Sequence, residues 1–573
     1  MRSTESQDLK APTLQYAALY IFLCTALASC GGGGTTNGGG NGGGGGTIDV
    51  GSGLTCPIDN FPQPPPGATS LTANDVNMLV QAAATTGNSD SLTVAVVDRL
   101  GVILAVWQGP AAPAQSAGNF GNLVNTTDLA VSLARTAAYF SNDQAPLSSR
   151  TVRFISGIHF PPGIANTANA DLYGIENTNR GCTLCTNYLP GQQIPLPTLT
   201  DLVTPSHLGI ITGKVDMKDR AGNDTEAIGD VDPGGVPIFK VDSTAGGVHA
   251  VGGIGVAGVP SDVAEYVAFQ AAGLIAQGGP SAATDGIGFH FPLPAPGVVV
   301  IGGISLPFVN QTSAPADLAP PNPNFDSSRY VVMPRASNGP PPDGFLVATA
   351  DGLVGGLTAA QVNSIIDNAV GTACQTRGVI RLPIGSRARM VIAVADLDGT
   401  IIGLFRMHDS TIFSIDVAAT KARNVIYFSG PNRTAGDLPG VPMSTAVTNR
   451  TISFGAQPFY PPGIDGTSQG PFFNLFQQDT TNPCTEGAQI SSSMLGPHFN
   501  QSGIVFFPGA VPLYINGQLV GGLGVSGDGV DQDDFVTAGG MAGFEAPANI
   551  RADQVFDESV RLPYLKFPRN PTD

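Results

Sequence analysis

The chain has six histidines, and two of them stand in short groups of side chains that could bind a metal or an anion. His408 directly follows Arg406 and Met407, so an imidazole, a guanidinium and a thioether occupy three consecutive residues. His159 stands beside Phe160, at the start of a Pro-Pro-Gly sequence. Imidazole and thioether groups are metal ligands, and a guanidinium binds carboxylates through paired N–H groups. We therefore expect a ligand site at His408 first and at His159 second.

Two pairs of arginines occupy matched places in the two halves of the chain. Arg135 corresponds to Arg423, and Arg150 corresponds to Arg450. The first pair lies in the middle of predicted helices, which favours a packing role, whereas the second pair is a candidate for binding anions. No Ser-His-Asp, His-Glu-x-x-His or paired-carboxylate arrangement repeats in both halves. The sequence therefore favours a binding protein over an enzyme.

These residues belong to two copies of one unit. Four blocks of sequence return in the same order: 71–77 at 357–363, 94–98 at 392–396, 160–164 at 460–464, and 251–258 at 520–527. Matched blocks in one order indicate a tandem duplication. Thr72 and Thr358 are predicted to cap the first helix of each copy. The pattern that follows predicts hairpin, helix, hairpin and helix, which is an α+β fold built on an antiparallel sheet.

Several motifs within each copy resemble one family. They are the Leu-Thr helix start, the Ala-Val-Val-Asp hairpin, Ala-Arg-Thr-Ala-Ala-Tyr-Phe at 134–140, Gly-Gly-Val-Pro-Ile at 234–238 and the glycine-rich strand at 252–258. Each copy is similar to the GlcG/HbpS-like haem-binding and haem-degrading domain family, which is related to the C-terminal domain of PduO. The resemblance covers most of residues 71–278 and 357–540. It implies two tandem copies of an antiparallel five-stranded sheet with flanking helices, arranged as a pseudo-dimer.

The resemblance also implies haem as the cofactor. His408 would be the preferred axial ligand, and His159 the second choice. The candidate haem-binding residues are His408, Met407, Arg406, His159, Arg150 and Arg450. None of the histidines that can be aligned is duplicated, so we expect one haem per chain at most. The family's histidine near the first helix has no counterpart in 71–84 or 357–370. The alternative is therefore an assembly or adaptor module, or a small organic-acid binder, that has lost the haem ligand.

The N-terminal segment has the pattern of an export signal. An apolar run at 16–29 follows Arg2 and Lys10 and ends in Leu-Ala-Ser-Cys, a bacterial lipobox that would place lipid on Cys30. The run is shorter than the roughly 20 apolar residues that cross a bilayer. We expect a signal peptide at 1–30 and a flexible Gly/Pro-rich tether at 31–70. The protein is thus expected to be a lipoprotein of the outer membrane, facing the periplasm or the cell surface.

The remaining boundaries follow from the repeat. We expect the first domain at 71–278 with a long insertion, a connecting segment at 279–356, the second domain at 357–547 and a C-terminal tail at 548–573. The formal net charge is −18 and only 12% of the residues are charged. Such a chain lacks the basic surface of a nucleic-acid-binding protein. The resemblance further implies a tendency to form homo-oligomers.

Cys182 and Cys185 form a Cys-x-x-Cys sequence in the first copy. A c-type haem attachment needs His after the second Cys, and a zinc site needs a second pair at similar spacing; the sequence has neither. Because exported proteins meet an oxidising environment, we expect a disulfide between these two residues. A bridge from either of them to Cys56 or Cys484 is an equally open alternative.

The glycine-rich strands at 253–258 and 522–527 also fit the pattern Gly-x-Gly-x-x-Gly. A dinucleotide site needs this motif in a parallel βαβ unit, whereas here it comes near the end of each copy. Glycines inside a strand more generally indicate close approach of backbone or ligand. We interpret the two strands in that way.

Overall fold

The computed structural model describes residues 47–51, 54–57, 69–118, 122–161, 164–175, 217–218, 224–225, 232–242, 244, 247–273, 298–301, 304–309, 313–481 and 503–572. The predicted lipidation at Cys30, the predicted bridge between Cys182 and Cys185, and Cys484 fall outside these residues. Both copies belong to one compact unit, Gly46–Asp573.

The helices and strands follow the predicted order in each copy. A hairpin comes first, β1 (Thr47–Gly51) and β2 (Leu54–Pro57). The first copy contains α1 (Ala73–Thr86), β3 (Thr93–Asp98), β4 (Ile103–Gln108), β5 (Gln115–Gly118), β6 (Asn122–Asn125), α2 (Thr126–Phe140), α3 (Ser149–Ser156), β7 (Met217–Lys218), β8 (Asp224–Thr225), β9 (Gly235–Val241), β10 (Val248–Ala257) and α4 (Ser261–Gly273). The connecting segment contributes β11 (Val298–Ile301), β12 (Ile304–Pro307), β13 (Tyr330–Val332) and β14 (Gly344–Val347). The second copy contains α5 (Ala359–Ala373), β15 (Val391–Ala395), β16 (Ile401–Arg406), α6 (Phe413–Ser429), α7 (Asn449–Gly455), α8 (Phe473–Thr481), β17 (Ala510–Ile515), β18 (Gln518–Ser526) and α9 (Val530–Gly540), followed by β19 (Phe556–Asp557) and β20 (Val560–Arg561).

Two five-stranded antiparallel sheets form the framework. Their strand orders are β13-β4-β3-β10-β9 and β14-β16-β15-β18-β17. The register is the same in both, since Val97 pairs with Gly253 and Ala395 pairs with Gly522. The predicted α+β fold, with a five-stranded antiparallel sheet and flanking helices in each copy, is confirmed.

One strand of each sheet comes from the connecting segment. β13 pairs with β4 at the edge of the first sheet, and β14 pairs with β16 at the edge of the second. Both strands lie within 279–356, the segment predicted to join the domains. The connection therefore completes both sheets, and its two ends are fixed by main-chain hydrogen bonds.

The helix starts and hairpin turns form as the sequence predicts. Thr72 and Thr358 each make a capping box with the third residue of the helix. The first hairpins turn at Gly101 and Gly399, whose φ angles are 78° and 81°. A side chain is strained at these angles, so glycine is required at both turns.

Helices α2 and α6 lie between the two sheets. Every residue of both helices is buried, and Phe140 of α2 stacks on Phe413 of α6 with ring centroids 4.1 Å apart. One apolar cluster combines both helices with strands of both sheets. The outer faces are covered by α1 and α4 on the first sheet, and by α5 and α9 on the second. The two copies thus pack as the predicted pseudo-dimer.

The glycine-rich strands allow these central helices to approach their sheets closely. A Cβ on Gly253 would lie 2.1 Å from the carbonyl oxygen of Ala134 in α2. A Cβ on Gly524 would lie 2.1 Å from the carbonyl oxygen of Ala418 in α6. Real Cβ atoms do not come so near to a backbone oxygen, because interiors are already packed to contact. The Gly-x-Gly-x-x-Gly pattern therefore serves helix packing in both copies.

Each copy is completed by a Leu-Pro-aromatic sequence that lies beyond its predicted domain. The hydroxyl of Thr151 donates to the carbonyl of Pro307 at 3.0 Å. The hydroxyl of Thr451 donates to the carbonyl of Pro563 at 2.7 Å. Parts of the predicted connecting segment and C-terminal tail therefore pack as equivalent pieces of the two copies.

Candidate functional site

His408 and Arg406 lie at the junction of the two copies and share one carboxylate. The Nδ1 atom of His408 lies 2.7 Å from Oδ2 of Asp343, and the guanidinium of Arg406 binds the other oxygen of the same carboxylate. Arg406 also donates to the carbonyl of Ser410 at 2.6 Å. These bonds fix the orientation of both side chains. The structure therefore brings together two of the three neighbours singled out in the sequence.

The third neighbour, Met407, is directed elsewhere. Its side chain is buried in the apolar cluster between the second sheet and its outer helices. Its sulfur accepts a hydrogen bond from the backbone N–H of Met390 at 3.4 Å. Successive side chains of an extended chain point to opposite faces, which separates Met407 from Arg406 and His408. The expectation that thioether and imidazole lie side by side is wrong.

A cleft opens beside His408, and both copies line it. We call it the junction cleft; its charged and imidazole side chains are Arg99, Asp143 and His249 from the first copy, Asp343 from the connecting segment, and Arg406, His408 and Asp409 from the second copy. Ala250, Val251, Pro340 and Pro341 supply apolar surface. Ligand sites typically combine such a cavity with a few convergent polar groups.

Sequence reasoning assigned no role to His249, which supplies the second imidazole of the cleft. Its Nδ1 atom lies 2.5 Å from Oδ2 of Asp143, so a carboxylate orients this ring as Asp343 orients His408. Alignment of the two copies could have pointed to His249. His249 aligns with Gln518 and His408 aligns with Pro110, so both cleft histidines stand where the other copy has a different residue.

A buried network connects the cleft to both copies. The backbone N–H of Asp143 donates to Oδ1 of Asp409 at 2.9 Å. Arg381, whose side chain is fully buried, pairs with Oδ2 of Asp409 at 2.6 Å and also pairs with Asp528. Buried charges are stable only when paired and hydrogen-bonded. The wall of the cleft is therefore held in a fixed arrangement.

The charges of the cleft shift the pKa values of its groups. Burial opposes the charged form of His408, but the hydrogen bond and charge of Asp343 outweigh it and raise the pKa of His408 above 6.5. Burial lowers the pKa of Arg99 to about 10, and Arg406 contributes to this shift. Burial, followed by the charge of Asp409, raises the pKa of Asp143. Near neutral pH the cleft thus favours a charged His408.

His159, the second candidate, lies outside the junction cleft. Its Nε2 atom pairs with Oδ1 of Asp465 at 2.9 Å, and its ring stacks on Phe459 with centroids 6.0 Å apart. Phe459 is the residue that aligns with His159 in the other copy. His159 therefore forms part of the contact between the two copies.

Arg150 and Arg450 form equivalent ion pairs away from the cleft. Arg150 pairs with Glu265 on α4 at 2.5 Å, and Arg450 pairs with Asp534 on α9 at 2.7 Å. Arg450 also pairs with Asp531 at 2.6 Å. The structure thus uses these arginines to join α3 to α4 and α7 to α9. The matched Arg135 and Arg423 donate to the carbonyls of the hairpin turns, as a packing role predicts.

Cys56 forms a disulfide with Cys374 at the end of α5, with Cα atoms 5.4 Å apart. The alternative bridges from Cys182 or Cys185 to Cys56 are therefore wrong. The sequence could not reveal this pairing because 318 residues separate the partners and only the fold brings them together. The bond also fixes the hairpin β1–β2, which lies within the predicted tether, to the second copy.

The described part of the chain shows neither a cluster of metal ligands nor a membrane-spanning helix. No group of three or more His, Cys, Asp or Glu side chains there is arranged to hold a metal ion. No helix among these residues is long and apolar enough to cross a membrane.

Comparison with known proteins places the second copy in a family. Residues 357–542 match the family described as Haem degrading protein HbpS-like. The second copy belongs to the HbpS-like family. The first copy repeats its sequence blocks, sheet order and register, so the chain is a tandem duplication of this kind of domain.

The chain is also similar to several individual proteins. It is 41% identical over 54 residues to an uncharacterized 15.0 kDa protein of the dhaT-dhaS intergenic region of Citrobacter freundii; this match spans 9% of the chain and 38% of that relative. A PduOC:haem complex shares 22% identity with a TM-score of 0.21, over 33% of this chain and 94% of the other. A double mutant of HbpS from Streptomyces reticuli shares 18% identity with a TM-score of 0.19, over 33% and 87%. At these levels no residue role carries over from the relatives.

Proposed function

We propose that the protein is an exported, lipid-anchored haem-binding protein that holds one haem in the junction cleft. The observation that carries the proposal is the position of His408. It lies in the copy that matches the haem-degrading family, it lines a cleft, and Asp343 orients its ring through Nδ1. Metal-ligating histidines are commonly held in this way by a carboxylate on the other ring nitrogen.

The residues of the cleft fit the chemical groups of haem. His408 supplies an imidazole for the iron, Arg99 and Arg406 supply cations for the propionates, and Val251 and the two prolines offer apolar contact to the ring. His249 lines the same cleft and supplies a second imidazole. When bound, haem would contribute the redox chemistry of its iron.

The residues of the chain have separate tasks in this proposal. Asp343 orients the His408 ring through Nδ1. Arg406, held by Asp343 and the Ser410 carbonyl, presents a fixed positive charge. Since the iron takes a neutral imidazole and Asp343 raises the pKa of His408, acid should weaken haem binding. The affinity should rise as the pH increases above neutrality.

Single occupancy follows from the asymmetry of the junction. Arg406 aligns with Gln108, and His408 with Pro110. The position related to the cleft by the duplication therefore has neither the imidazole nor this guanidinium. We expect one haem per chain.

Export and anchoring are supported by the sequence and by one bond. The apolar run before Cys30 has the lipobox pattern. The Cys56–Cys374 disulfide is typical of proteins that fold in an oxidising compartment. Cys30→Ser should release the protein into the soluble periplasmic fraction, and continued membrane association of that variant would contradict lipid anchoring.

The test of haem binding is a haemin titration of the soluble Cys30→Ser protein, followed by its Soret band. The parent should saturate at one haem per chain. His408→Ala should shift or abolish the Soret maximum, because losing an axial nitrogen changes the iron's coordination. Arg406→Ala should weaken binding less, since it removes a propionate contact and leaves the iron ligand.

The matched control is His159→Ala, which removes a histidine that lies outside the cleft. Its spectrum and affinity should equal those of the parent. An unchanged spectrum in His408→Ala, or two haems per chain, would show that the site is elsewhere. Loss of the Soret shift in His159→Ala alone would assign the ligand to His159.

A second function, binding of a small organic acid, is favoured by the polar lining of the cleft. Arg99 and Arg406 both line it, and paired guanidinium groups suit a carboxylate. Calorimetry with glycolate would separate the two functions. Glycolate binding that Arg99→Gln abolishes, in a protein that shows no Soret shift with haemin, would replace the haem proposal.

A further inference from the structure

A second cavity lies between the two copies and shares no lining residue with the junction cleft. Its walls are mainly apolar and aromatic, with Phe140 from the first copy facing Ile380, Phe413 and Phe507 from the second. Its described lining contains no His, Cys or Met, so it offers no haem ligand of these types.

Two carboxyl groups also line this cavity. Asp533 is 2% exposed; its Oδ2 pairs with Lys421 at 2.8 Å, while its Oδ1 has no hydrogen-bond partner among the described residues. Asp171 makes no hydrogen bond or ion pair within the described part of the chain. Burial raises the pKa of Asp533 to about 7 and the pKa of Asp171 to about 6. Both groups therefore lack full compensation for their charge.

The neighbouring cations are already paired with other acids. The pairs are Lys421 with Asp533, Arg450 with Asp531 and Asp534, and Lys566 with Asp531. Among the described residues joined by these ion pairs, together with Asp171, there are four carboxylates and three cations. Among these described groups Asp171, which is half-buried, is the carboxylate in excess. A buried carboxylate without a partner is costly, and a bound cation would relieve that cost.

We propose that this cavity binds an organic ammonium ion. Its apolar body would contact Phe140, Phe413 and Ile380, and its ammonium group would lie between Asp171 and Asp533. Aromatic faces attract cations, so the rings favour a charged ligand over a neutral one of the same shape. The site is separate from the junction cleft, and the inference does not depend on haem binding.

Benzylamine and benzyl alcohol form a matched pair of probes, because they have the same ring and differ in charge. Calorimetry of the soluble Cys30→Ser protein at about pH 8, where both carboxyl groups are ionised, compares them. Benzylamine should bind at least about tenfold more tightly than benzyl alcohol. Equal binding of the two probes, or no binding of benzylamine, would overturn the proposal.

Two substitutions in the cavity and one control substitution locate the binding. Val530 lines the cavity, and Val530→Phe should fill it and abolish benzylamine binding. Val354→Phe places the same side chain at a position that is 60% exposed, and should leave binding unchanged. Asp171→Asn keeps the shape of the side chain and should reduce benzylamine affinity to that of benzyl alcohol. Full benzylamine affinity in Asp171→Asn, or in a folded Val530→Phe protein, would contradict the assignment.

Discussion

The two copies have equivalent residues where a side chain joins two helices or where a helix packs closely on the sheet. Arg150 pairs with Glu265 in the first copy as Arg450 pairs with Asp534 in the second, and the two acids occupy matched places in α4 and α9. The glycine-rich strands admit α2 and α6 at the same short distance. The hairpin turns likewise use Gly101 and Gly399 with similar φ angles.

The copies differ at the junction cleft. His408 and Arg406 align with Pro110 and Gln108, and Arg99 aligns with Leu397. A dimer of identical subunits would repeat each of these residues on both sides of its axis. Duplication within one chain removes that constraint, so a single site can take residues from both halves. Packing positions remain the same because close contacts in both copies allow no other residue type.

The largest effect is expected from breaking the matched ion pairs. Arg450→Met leaves Asp534 buried without its cation and should lower the free energy of unfolding by about 3–5 kcal/mol. Arg150→Met should act in the same direction but less, since Arg150 has a single carboxylate partner among the described ion pairs. Urea unfolding measures both, with the exposed Arg569 as the control site. Arg569→Met should stay within about 0.5 kcal/mol of the parent. An unchanged free energy of unfolding in Arg450→Met would show that α9 is held by other contacts.

The disulfide distinguishes the second copy from the first. Cys374→Ser should lower the free energy of unfolding by about 2–4 kcal/mol, because it releases a long loop closed by Cys56. Reduction of the parent should have the same effect, whereas reduction of the variant should add little. Thermal unfolding with and without reductant provides the measurement. A large further loss on reducing the variant would indicate that another bridge matters more.

The glycine strands should respond alike in both copies. Gly255→Ala and Gly524→Ala each bring a Cβ against a carbonyl of the central helix and should destabilise by about 1–3 kcal/mol. Gly371 lies in α5, where an added Cβ would meet open space, so Gly371→Ala should instead stabilise by about 0.5–1 kcal/mol. Chemical denaturation of the three variants measures these changes in the free energy of unfolding. Tolerance of alanine in one strand only would mean that the copies do not pack equivalently.

The smallest effect concerns the pH dependence of the cleft. The pKa of His408 is raised above its ordinary value of 6.5, so the folded state favours the proton. Its contribution to stability is fully present below about pH 6.5 and is lost as the pH rises through the higher folded pKa. The stability difference between the parent and His408→Gln should therefore shrink between neutral and alkaline pH. A difference that grows with pH would show that Asp343 does not stabilise the imidazolium.

The sequence by itself determined the framework. Repeated blocks indicated the duplication, Thr72 and Thr358 marked the helix starts, and alternation predicted the strands. These features depend on local geometry, which residues near in sequence control. The sequence also selected His408 and Arg406 as site residues, although their role is still a prediction.

Only the tertiary structure decided which distant groups meet. Asp343 and His249 come to His408 from other parts of the chain, Cys56 reaches Cys374 across 318 residues, and Met407 turns into the core. No local pattern specifies such contacts, because they depend on how the two sheets pack through α2 and α6. The connecting segment supplies Asp343 together with one edge strand of each sheet. Asp343 can therefore reach His408 only when this segment has paired with the sheets.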